Sequence, residues 1–93
     1  MAEGERLFEL GSLMATPSAL RLLLMNGVNP QDLLRRHVTG DWTEMDVTDH
    51  AANIAAAKQG LRIFSAYLIG DARIWVITEA DRHHTTILLP SEY

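Results

Sequence analysis

The feature that most constrains this chain is a change of hydrophobic period at Gly60. Up to that residue the apolar positions recur at helical spacing between Pro and Gly punctuation; beyond it they alternate at a period of two. A chain that switches period once reads as helices followed by strands, and so as an α+β domain.

The helical part is punctuated three times. In ATPSALRLLLMNG, Thr16 is a good N-cap, Pro17 suits the first helical position and Gly27 can take the left-handed conformation that ends a helix. Leu20, Leu23, Leu24 and Val28 share one face of that helix, which makes it the face expected to be buried. VNPQDLLRRHVTG repeats the grammar. Asn29 caps, Pro30 opens, Asp32 complements the positive end of the helix dipole, and Arg35, Arg36 and His37 complement the negative end before Gly40. Leu33 and Leu34, with His37 or Val38, form its buried side. A third helix is expected over about 47–59, capped by Asp46 or Thr48 and stopped by Gly60. A short strand near Leu10–Met14 precedes all three.

Beyond Gly60, LRIFSAYLI and RIWVITE flank the hairpin dipeptide Gly70-Asp71, and TTILLP follows a polar turn at Ala80–His84 and stops at Pro90. The expected architecture is three N-terminal helices packed on a C-terminal three-stranded antiparallel β-meander, to which the short N-terminal strand could add. Trp75, between Ile74 and Val76, is expected to lie flat against a helix in the core, as is Leu23.

At 93 residues the chain is expected to be one domain, residues 1–6 being flexible. It should bury roughly 60–65% of its unfolded surface. There is no cysteine, which excludes thiol nucleophiles, disulfides and cysteine-held zinc and fits a reducing cytoplasm. No signal-peptide pattern opens the chain, and the densest apolar run, Leu22–Met25, is far below the ~20 residues of a membrane span. A cytoplasmic location without membrane association is the expectation. A net charge of −4 disfavours nucleic acid as a partner, because neutralised phosphate supplies most of that affinity. Seven of the eight basic residues are arginines, suited to bidentate pairing in interfaces.

The segments ATPSAL, RRHVTGDW, RIFSAY, IWVITEADR and TTILLPSEY run in order through about 7–93. The series resembles a family of small bacterial proteins carried on plasmids and integrating elements. These are described as plasmid-related proteins or as type I restriction endonuclease subunit M. The resemblance implies a mobile-element setting and no particular activity. A DNA methyltransferase needs a glycine-rich cofactor loop and an Asn/Asp-Pro-Pro-aromatic catalytic loop; neither is present, and 93 residues cannot hold the parallel sheet. The chain departs from the family at His83-His84, where a small polar residue is expected, which argues against an essential role for those histidines.

Four constellations bear on chemistry. His37, His50, His83 and His84 with Asp41, Asp49 and Asp81 have metal-binding atoms, but their spacings match no metal motif, so neither metal nor cofactor is expected. Glu79 and Asp81 could form an acid–base pair; the favoured reading is a polar hairpin in which Asp81 caps the turn and Arg82 pairs with Glu79. A compact metal-independent ribonuclease of the toxin type is the alternative enzyme. His37 would be its base and Arg62 its phosphate-binding cation, with Ser65, Tyr67, Thr85 and Thr86 converging over one sheet face. The leading reading is a non-enzymatic accessory protein that binds a host or element-encoded protein through Arg35, Arg36, Trp42, Asp81, Arg82 and Tyr93. Restriction and CRISPR complexes are the targets that a mobile-element setting suggests, and a homo-oligomer is compatible with the sequence.

Overall fold

The computed structural model describes residues 5–42 and 45–93. In chain order the elements are β1 (Ser12–Ala15), α1 (Pro17–Met25), α2 (Pro30–Thr39), α3 (Val47–Gln59), β2 (Ile63–Ile69), β3 (Ala72–Thr78) and β4 (His84–Leu88), then a 3-10 turn at Pro90–Glu92. Most of the expected flexible tip, residues 1–4, lies outside the described residues.

The helices start where their caps dictate. Thr16, Asn29 and Asp46 accept from the backbone N–H groups of Ala19, Gln31 and Asp49, each satisfying a donor that the first turn leaves free. Gly40 and Gly60 end α2 and α3 in the left-handed region.

The sheet corrects the expected three-stranded meander. It has four strands in the order β1-β4-β3-β2, and although β2–β3 and β3–β4 are antiparallel, β1 pairs with β4 in parallel. The helices therefore stand between the first strand and the other three in sequence. The cause lies in geometry at long range. Two hairpin reversals leave β4 running in the direction of β1, with its outer edge unfilled. Gly11, at φ 67°, lets the chain press against the Arg82 and His83 backbone, where a Cβ would collide. Ser12 N then donates to the His83 carbonyl at 2.8 Å and Thr16 N to the Ile87 carbonyl at 3.0 Å.

Strand alternation divides the sheet into two faces. Ile63, Tyr67, Ile69, Ile74, Val76 and Ile87 join Leu23, Leu33, Val38 and Trp42 in the core beneath the helices. On the other face Trp75 is half-buried, edge-on to Phe64 at 4.6 Å and to Tyr93 at 5.6 Å. This corrects the expectation for Trp75: its neighbours Ile74 and Val76 take the helix-facing positions, and the period of two sends Trp75 the opposite way. Trp42 takes the central place instead. On α1, Ala19 and Leu23 are buried while Leu20 and Leu24 stay exposed, so half of the expected apolar face is open.

Candidate functional site

The polar residues that the sequence marks for chemistry meet inside the core. His37 Nδ1 lies 2.5 Å from Ser65 Oγ and Nε2 lies 2.8 Å from Thr78 Oγ1; Thr78 Oγ1 is 2.8 Å from Thr85 Oγ1, which donates to the Leu10 carbonyl at 2.7 Å. All four side chains are fully buried. The end of this chain fixes every proton in it. A carbonyl only accepts, so Thr85 spends its single hydrogen on Leu10. Thr78 must then donate to Thr85, His37 must donate from Nε2 to Thr78, and Ser65 must donate to Nδ1. The imidazole is neutral with its proton on Nε2. Burial, and after it the Arg82 guanidinium, pushes the His37 pKa down to about 3. Phe8 closes the ring's edge at 5.1 Å.

A serine hydroxyl donating to a neutral histidine is the arrangement of a nucleophile and its base. Here both side chains are fully buried, neither lines the clefts described below, and each hydrogen-bonding atom is satisfied. The network joins α2, β2, β3, β4 and the segment before β1 across the core.

The alternative catalytic residues do not converge. His37 and Tyr67 are buried under the helices, and Tyr67 donates to the Asp41 carbonyl at 3.0 Å. Arg62 and Thr86 fall on the opposite sheet face. Arg62 stands over the Tyr93 ring, 5.1 Å from its centroid, with its Nε 3.8 Å from the Glu79 carboxylate. Strand parity separates these residues, a signal that the sequence carries.

The expected binding residues are likewise dispersed. Trp42 is fully buried, edge-on to His50 at 5.5 Å. Arg35 pairs with Asp32 at 3.0 Å, and Arg36 pairs with Asp41 at 2.8 Å and covers the Tyr67 ring. Arg82, at φ 63°, turns its guanidinium onto the carbonyls of Leu61, Glu79, Ala80 and Ala56, tying the β3–β4 turn to the end of α3. The expected Arg82–Glu79 ion pair is corrected: Arg82 meets the Glu79 backbone carbonyl, while the Glu79 carboxylate faces Arg62. Asp81 does cap the turn, accepting from His83 N at 2.9 Å. Tyr93 is exposed on the far face. No group of three or more acidic or histidine side chains is placed to hold a metal among the described residues. No helix among them is long and apolar enough to cross a membrane.

What sequence reading missed is the edge of the sheet. Among the described residues β1 bonds to β4 along one side and has no strand on the other. Ser12 and Thr16 donate inward to β4, so alternation turns the N–H and C=O groups of Leu13 and Ala15 outward. The strand reads SLMA, without charge, proline or bulge, and Leu13 and Met14 are 48% and 47% exposed. Beside it runs a groove of about 260 Å³ lined by Leu13, Ala15, Leu20, Pro30, Leu34 and Ile87. The opposite edge is treated differently: on α3, Asn53 donates to the Phe64 carbonyl at 2.6 Å and accepts from Phe64 N at 3.3 Å, occupying the backbone of β2 as a neighbouring strand would. The only sign of the open edge in the sequence is the uncharged run between Gly11 and Thr16.

Comparison with family models, with curated proteins and with solved structures finds no match to this chain.

Proposed function

We propose that this chain is a non-enzymatic binding module that captures a partner protein along the open edge of β1. One observation carries the reading: a sheet edge whose outward backbone groups have no partner among the described residues, with exposed apolar side chains, lacks the charge, proline or bulge by which such edges are ordinarily blocked. At the β2 edge of the same sheet Asn53 occupies the outward backbone of Phe64, a cover that no described residue gives to β1. The ribonuclease alternative is weakened because its base would be a buried, neutral imidazole with both nitrogens engaged, on the far side of the sheet from Arg62. That the module serves a mobile element and occupies a host or element-encoded protein rests on the resemblance in sequence alone.

The test compares the wild type with a Leu13→Pro variant in the native host. Leu13→Pro removes an outward N–H while leaving the donors to β4 in place. A stoichiometric partner retained by the wild type and lost by Leu13→Pro is the expected result. Cleavage of total RNA by the purified protein, abolished in His37→Ala, would overturn the reading.

A further inference from the structure

Resting on that reading, we infer that the partner segment is an extended strand carrying apolar side chains and flanked by acidic ones, bound between β1 and α2. The wall facing β1 across the groove is α2. Gln31 and Leu34 line the apolar groove and also a second cleft, of about 330 Å³, which continues past Leu10 to Arg6 and Arg35. The two clefts adjoin at Gln31 and Leu34, one apolar beside Leu13 and Leu20 and the other basic at Arg6 and Arg35, and we treat them as one trough.

Each feature selects for the occupant. The outward N–H and C=O groups of Leu13 and Ala15 recur two residues apart, the repeat that an added strand offers. Alternate side chains of such a strand point toward α2, into the apolar part of the trough. The basic end calls for carboxylates: Arg6 is exposed with no ion-pair partner among the described residues, and Arg35 holds only the exposed Asp32. The chain as a whole carries −4, so this end runs against its general charge and marks a local complement. Because α2 forms the far wall, the trough admits a single extended segment more readily than the edge of a second folded copy.

Fluorescence anisotropy with a blocked, labelled peptide tests this. The probe alternates threonine and valine and carries two glutamates at each end, so either strand direction presents carboxylates to the arginines. A counterpart carries lysines instead, and a third has alternate backbone nitrogens methylated. We expect the glutamate peptide to bind at least tenfold more tightly than the lysine peptide, against the pull of net charge, and to weaken with salt. Arg6→Glu should reduce its affinity at least fivefold, while N-methylation of the peptide or Leu13→Pro in the protein should abolish binding. N-methylation leaves the protein untouched, so a folding defect cannot imitate that result. Equal binding of the lysine or the methylated peptide would overturn the inference, as would no binding of the glutamate peptide at millimolar concentration. Self-association of the protein that is lost in Leu13→Pro would assign the edge to a second copy and overturn it too. Equal binding of the lysine peptide leaves the edge-binding reading standing, equal binding of the methylated peptide removes the edge from it, and RNA cleavage dependent on His37 removes the module itself.

Discussion

His37 has both nitrogens spoken for, and its depressed pKa gives the protein a particular response to acid. In the unfolded chain the imidazole titrates near 6.5, whereas in the fold it stays neutral down to about 3. The unfolded state therefore binds the extra proton across that interval, and stability that is complete above pH 6.5 drains away as the pH falls. The slope from one such group is at most about 1.4 kcal/mol per pH unit. A His37→Gln variant, lacking the titrating ring, should be less stable at pH 7 by roughly 1–3 kcal/mol because it leaves buried hydroxyls poorly paired. It should nevertheless lose less stability than the wild type between pH 7 and 4.5. Urea unfolding of both proteins at the two pH values checks this; parallel losses would mean that His37 is accessible to protons in the fold. The two tryptophans make a second residue-level contrast. Trp42→Ala should cost on the order of 3–5 kcal/mol, the range for a buried aromatic truncated in a core. Trp75→Ala, cut from a half-buried site on the other face, should cost clearly less. Thermal melts rank them, and the reverse order would refute the assignment of faces.

The elements differ in how far local chemistry announces them. Helices α1, α2 and α3 were legible because each carries its own start and stop: Thr16-Pro17, Asn29-Pro30 and Asp46 at the front, and a glycine behind. The strands β2 and β3 were legible for the same reason, since Gly70 takes the positive φ that their two-residue turn demands. β1 was located only approximately, and its pairing was not readable at all. Its four residues acquire a direction and a register from β4, some seventy positions away, and nothing within SLMA encodes that. The register has a direct signature in hydrogen exchange. Met14, in phase with Ser12 and Thr16, donates toward β4 and should exchange slowly, whereas the Leu13 and Ala15 amides point away from β4 and should exchange at least tenfold faster. Uniform protection along β1 would require a different register or an occupied edge.

The candidate site was half legible, and the reason is the same separation between local and distant information. His37, Ser65 and Thr85 could be marked as chemically suggestive from their types. Parity already divided Arg62 and Thr86 from Ser65, Tyr67 and Thr85. Burial of the whole set depends on where α2 packs, which no residue in α2 states by itself. The topology also predicts an order of assembly. β2 and β3 close over a two-residue turn, while β1 and β4 join segments separated by most of the chain, at a greater loop-closure cost. The β1–β4 ladder should therefore form after the rate-limiting step. Gly11→Ala probes it, since a Cβ there meets the Arg82 and His83 backbone and the residue holds a positive φ. Ala66→Gly probes the β2–β3 hairpin. In denaturant-dependent kinetics the loss from Gly11→Ala should fall almost wholly on the unfolding rate, and much of the loss from Ala66→Gly on the folding rate. A slowed folding arm in Gly11→Ala would place the parallel pair in the nucleus instead.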